Sequence, residues 1–153
     1  MYLTFKALRD EFVSDLSVLY EDREAQNIFY LAFEELFGMN KTDVVLNLAK
    51  EADKDQITAM DKLKVQLIDG RPYQYIVGSA WFMNLSFLVN ENVLIPRPET
   101  EELVQWVMEE NDDAELRVLD IGTGSGIIPI SLVVSREKWL ISACDISQEA
   151  LAV

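Results

Sequence analysis

Residues 117–145 read RVLDIGTGSGIIPISLVVSREKWLISACD, and this stretch constrains the fold more than any other. RVLDIG is a short apolar run that carries Asp120 and ends in a glycine loop with glycines at 122, 124 and 126. IIPISLVV reads as the helix after the loop. WLISACD is a second apolar run, closed by Asp145, and SQEALAV opens another helix with Ser147 at its cap. Strand, glycine turn, helix, strand and acid form the opening of a doubly wound α/β sheet. Such a sheet usually has about five or more strands with both faces covered. The pattern here stops after two, so the sequence reads as the N-terminal portion of a longer protein.

The loop DIGTGSG has the spacing G-x-G-x-G. A dinucleotide fingerprint is G-x-G-x-x-G, so the third glycine arrives one position early. Glycine is needed because a Cβ would block close approach of a ligand to the turn. In a pyrophosphate site the helix N-terminus faces the anion. For a ligand without phosphates the backbone packs on an adenosyl group instead, and its amides can meet a carboxylate. Asp145 at the end of the second strand offers two acceptor oxygens to a ribose diol. This suits S-adenosylmethionine or NAD, and the spacing together with Asp120 favours the former. Asp120 reads equally as a ligand contact or as a structural acceptor for loop amides. Pro129 is tolerable if it lies in the first helical turn, whose amides have no intrahelical acceptor. Cys144, set among apolar strand residues, reads as a buried core thiol.

The first 70 residues read as four amphipathic helices in a small bundle. The first has the face Phe5, Leu8, Phe12, Leu16 and Leu19. Asp22 caps the second, with Ala25, Ile28, Phe29, Ala32 and Leu36 inward and Gly38 as its stop. Thr42 caps a short third helix carrying Val44, Val45 and Leu48. Asp53 and Gln56 resemble a capping box before a fourth, with Ile57, Met60, Leu63 and Leu67, ending at Gly70. Leu85, Phe87 and Val89 then alternate with Ser86, Leu88 and Asn90 at a period of two, and Asn84 suits a turn with positive φ. These features predict a β-hairpin linker over 71–97. A helix carrying Leu103, Val104, Trp106 and Val107 follows, and Asn111, Asp112 and Asp113 form a loop. The expected architecture is α/β overall: a helical domain over 1–70, the linker, and an incomplete Rossmann-like domain over 98–153.

Residues 94–103, LIPRPETEEL, hold one arginine between two prolines. Pro98 suits the first helical position, and Glu99, Glu101 and Glu102 lie in the first turn, where negative charge is favoured. Pro98 biases Arg97 to an extended backbone. Its cation is aimed either at a ligand pocket or at a structural ion pair.

Composition narrows the chemistry. There are 153 residues, no histidine, one cysteine and a net charge of −14. Lack of histidine removes Ser-His and Cys-His catalysis and histidine metal sites. A lone cysteine builds neither a thiolate metal site nor an internal disulfide. So acidic a chain repels phosphate backbones, which argues against direct nucleic-acid binding. No apolar run approaches the ~18 residues of a membrane span. The N-terminus lacks a signal-peptide pattern, and a cytoplasmic location is expected.

RPYQYIVG (71–78), the F82-x-x-L-x-F-x-V89 pattern, VLIPRPETEELV (93–104) and RVLDIGTGSGIIPISL together resemble the bacterial release factor glutamine methyltransferases, the HemK family. The resemblance runs from about residue 71 to 153, and IPRPETE is its specific part. Asn84 stands where that family often has glycine, and Pro129 where it has a small helix residue. The resemblance implies methyl transfer from S-adenosylmethionine to the side-chain amide of the glutamine in the Gly-Gly-Gln loop of peptide chain release factors. It implies that Gly122, Thr123, Gly124, Ser125, Gly126 and Asp145 bind the cofactor. It also implies that Arg97, Pro98, Glu99 and Thr100 border the cofactor. The family grips its acceptor amide with an Asn-Pro-Pro-Tyr segment, and no Asn-Pro-Pro occurs here, so no catalytic residue is named and the chain alone is expected to be inactive. The alternatives are a release-factor-binding fragment, a methyltransferase for another amide or an exocyclic amine, and an NAD-dependent dehydrogenase. The oligomeric state is open.

Overall fold

A computed structural model describes residues 3–111 and 115–153; the predicted loop positions Asp112 and Asp113 lie outside them. The chain divides into two compact units, Met1–Val77 and Gly78–Val153.

In the first unit α1 (Phe5–Leu16), α2 (Asp22–Phe37), α3 (Lys41–Leu46), α4 (Lys54–Ile68) and α5 (Tyr73–Val77) follow one another. Phe5, Leu8, Phe12 and Leu16 of α1 are buried, as their spacing predicts. Leu19 lies beyond the end of α1 and is exposed. The cap of α2 is Glu21 rather than Asp22, which is its first helical residue, and Gly38 ends it in a left-handed conformation. The inward face of α2 adds Tyr30 and Phe33, and Leu36 is exposed. The start of α3 is fixed by a reciprocal capping box between Asn40 and Asp43, not by Thr42. Val44 is buried there while Val45 is exposed, and Leu48 falls outside the helix. The predicted box at α4 forms: Asp53 accepts from the Gln56 amide at 2.8 Å, and Gln56 accepts from the Asp53 amide at 3.0 Å. Phe29 sits among Phe12, Tyr30 and Phe33 at the centre of this core. The number and order of helices in the first 70 residues are those read from sequence, while α5 falls at the start of the 71–97 stretch expected to be a β-hairpin linker, where no periodicity announces it.

The second unit opens with an antiparallel hairpin, β1 (Ser79–Phe82) and β2 (Leu85–Leu88). Met83 and Asn84 between them both have positive φ, 49° and 61°, as a two-residue type I′ turn requires. After it come α6 (Pro98–Glu109), β3 (Arg117–Ile121), α7 (Ile127–Ser135), β4 (Leu140–Cys144) and α8 (Gln148–Leu151). β3 and β4 pair in parallel, Arg117 opposite Leu140 through Ile121 opposite Cys144. Phe82 and Phe87 from the hairpin, Val104 of α6, Leu132 of α7 and Trp139 share one core. On α6, Val104 is buried and Val107 half-buried, whereas Leu103 and Trp106 are exposed. The molecule is thus mixed helix and strand, with a helical N-terminal part followed by two small sheets.

Only one face of the parallel sheet is covered. Val118 and Ile141 pack against the core, while Leu119, Ile121 and Leu140 on the opposite face are 60%, 77% and 68% exposed. Cys144 pairs with Ile121 on that bare face, so its thiol is exposed, not buried as the apolar strand sequence suggests.

Candidate functional site

The glycine loop lies between the end of β3 and the start of α7, where an open-sheet fold places its ligand crevice. Gly122, Gly124 and Gly126 have φ of 82°, 57° and 75°, a region that side-chain-bearing residues rarely adopt. Gly126 caps α7 with no side-chain bond, and Pro129 is the third helical residue, where no intrahelical acceptor waits for an amide. This is why a buried proline is tolerated in α7.

The loop is drawn towards the end of β4. The Gly122 and Thr123 amides donate to the Cys144 carbonyl at 2.8 and 3.2 Å. The Gly124 amide donates to Asp145 Oδ2 at 2.8 Å. Asp145 Oδ1 accepts from the Ser147 amide at 2.9 Å, and Ser147 Oγ accepts from Ala150 to cap α8. The Ser147 and Gly124 amides hold the Asp145 carboxyl below the usual carboxylate range.

A cavity of about 350 Å³ adjoins the loop, lined by Thr123, Gly124, Ser125 and Gly126 on one side and by apolar residues such as Ile130 and Ile141 on the other. Thr123 is only 8% exposed, and its hydroxyl has no hydrogen-bond partner among the described residues. Asp120 is half-buried, and its buried Oδ2 has no partner among them either. Of the two, Thr123 lines the cavity and Asp120 does not, and the orphaned Thr123 hydroxyl fits a ligand that brings its own hydrogen-bonding partner. Among the described residues no cluster of acidic, cysteine or histidine side chains could hold a metal ion. No described helix is long and apolar enough to cross a membrane.

Arg97 is the cap of α6, extended at φ −110° and ψ 143°, and Pro98 is the first helical residue. Its guanidinium is exposed and forms no ion pair among the described residues. Arg97, Pro98, Glu99 and Thr100 do not line the cavity beside the glycine loop. The contact that anchors this segment is one the sequence does not reveal: Glu101 Oε1 accepts from the Met83 amide at 2.7 Å, tying α6 to the hairpin turn. The pair is 18 residues apart, beyond the reach of any periodicity. The role of the Cys144 carbonyl is equally hidden, because a backbone acceptor has no residue signature.

Residues 7–78 match the family described as the PrmC N-terminal domain. The release factor glutamine methyltransferase of Flavobacterium psychrophilum is 40% identical over 98% of this chain and 54% of its own length. That of Lactococcus lactis is 50% identical over 71% of this chain and 40% of its own. That of Bacillus subtilis is 35% identical over 99% of this chain and 49% of its own. The chain spans about half the length of the curated relatives it matches. Over nearly its whole length, therefore, this chain is similar to release factor glutamine methyltransferases, and its residues 7–78 match the PrmC N-terminal domain family.

Proposed function

We propose that this chain carries the S-adenosylmethionine-binding loop of a methyltransferase whose acceptor is a glutamine side-chain amide in peptide chain release factors. The observation that carries the proposal is the relationship to release factor glutamine methyltransferases across 98% of the chain, a span that takes in the glycine loop, Asp145 and residues 96–101. The second unit reads as the opening of a Rossmann-like domain, with the first as a substrate-recognition domain. Thr123 and the loop glycines form the floor of the site. Asp145 faces the ribose diol, and the Thr123 hydroxyl gains a partner from the bound cofactor. Arg97 and the first turn of α6 lie outside the lining of the loop cavity, so no cofactor contact is assigned to them. S-adenosylmethionine supplies an activated methyl on a sulfonium, so the chemistry calls for neither histidine nor metal. What the protein must contribute is positioning, because an amide nitrogen is a poor nucleophile.

The glycine spacing favours this over a dinucleotide, whose fingerprint is G-x-G-x-x-G rather than the G-x-G-x-G of residues 122–126.

No Asn-Pro-Pro-Tyr segment occurs among the 153 residues, so no residue is assigned to the acceptor amide, and cofactor binding is the property to test. Calorimetric titration with S-adenosylmethionine and, separately, with NAD tests the reading. Micromolar affinity for the first and none for the second is the expected result. Lack of any heat with S-adenosylmethionine, from a chain whose fold is intact by circular dichroism, favours a fragment that only recognises a protein partner.

A further inference from the structure

We propose that Asp145 is a positioning residue, fastening the glycine loop to the β4–α8 turn and setting the loop's shape before any ligand arrives. The proposal rests on the reading of that loop as the cofactor site.

The loop has little stiffness of its own, since glycine has wide backbone freedom. At Gly122 and Gly124 nothing lies within 4 Å of where a Cβ would stand, so that side of the loop is open. Hydrogen bonds hold the loop from the other side. Gly122 and Thr123 use the Cys144 carbonyl, and Gly126 uses the Thr123 carbonyl. Gly124, in the middle of the loop, has a side chain as its acceptor: Asp145. The other oxygen of the same carboxylate takes the Ser147 amide at the start of α8. One side chain thus fixes both the loop and the helix beside it. Each oxygen keeps a second lone-pair site, so a ribose diol can add to this clamp without breaking it. Asparagine cannot reproduce it. It has one oxygen for two amides, and its NH2 group would face a donor.

The test is amide hydrogen exchange, read by NMR on the ligand-free chain, for wild type, Asp145→Asn and Ser147→Ala, together with S-adenosylmethionine titrations. In wild type, the Gly124 amide is expected to exchange more slowly than that of Ser125, which has no acceptor among the described residues. In Asp145→Asn, Gly124 should exchange about ten-fold faster or more, the size of effect set by losing a bond to a charged acceptor. Cofactor affinity should fall alongside it. Ser147→Ala loses the α8 cap hydroxyl but keeps the amide, and should leave Gly124 unchanged. Equal Gly124 exchange in wild type and Asp145→Asn overturns the proposal, even if affinity falls, because Asp145 then acts by ligand contact alone. If Asp145→Asn does not fold, the wild-type comparison of Gly124 with Ser125 decides, and absence of protection overturns the clamp. If the clamp is seen but wild type does not bind S-adenosylmethionine, the clamp stands and the cofactor reading fails.

Discussion

At the scale of single residues, burial and charge leave a titration signature in the helical unit. Burial, then the charges of Glu35 and Glu34, push the Tyr73 phenol up to about 12. An unfolded tyrosine releases its proton near pH 10, and the folded one keeps it for longer. The folded state therefore has its full relative stability below about pH 10 and loses it as pH rises towards the folded value. Urea midpoints measured at about pH 9 and 11 should show that loss, and Tyr73→Phe should reduce it. An unchanged slope in the variant would mean that other groups govern the alkaline side. The residue identity was plain in the sequence, but the burial was not. Tyr73 lies in α5, a five-residue helix with no amphipathic pattern long enough to read, and its environment comes from packing against the core of α1, α2 and α4.

At the scale of elements, two contacts pin helices to their neighbours. Lys64 on α4 meets Asp15 of α1 at 2.8 Å and Glu11 at 3.6 Å, as well as Asp61 on its own helix at 3.2 Å. Burial pushes its ammonium down, but the bonds to Asp15 and Asp61 outweigh that and hold it above the usual lysine value. Lys64→Met leaves three carboxylates without their shared cation, and should cost about 0.5–1 kcal/mol, less at high salt. Chemical denaturation at low and high salt checks both parts. The second contact is the Glu101 carboxylate on the Met83 amide. Glu101→Ala should destabilise by about 1 kcal/mol, while Glu101→Gln, which keeps an acceptor, should cost less. Equal losses in the two variants would assign the effect to the charge at the start of α6. Pro98 at the first helical position and the extended Arg97 were legible, because proline geometry is local. The partner of Glu101 was not, because it comes from the hairpin.

At the scale of the whole molecule, the bare face of the β3–β4 sheet is the most consequential surface. Parallel strands are ordinarily covered on both faces, and here Leu119, Ile121 and Leu140 meet solvent. The chain should therefore enhance the fluorescence of a hydrophobic dye such as ANS. Changing Leu119 and Ile121 together to threonine, which retains β-propensity, should reduce that signal without lowering the thermal midpoint. A signal that persists would place the dye elsewhere. The sequence by itself determined the local features. Most of the helix faces in the first 70 residues, the capping box at Asp53, the positive-φ turn at Asn84 and the strand–glycine loop–helix–strand order follow from spacing and backbone preference over a few residues. Only tertiary structure decided which apolar residues are covered: Cys144 and Leu119 look like core in sequence but lie on an uncovered face. It also decided where the polar groups find partners. Asp145 was readable as an acid at a strand end, but its two amide partners come from opposite sides, Gly124 from the loop 21 residues earlier and Ser147 from the next turn. Hydrogen bonds between distant segments exist only after the chain has closed on itself, so no local pattern can encode them.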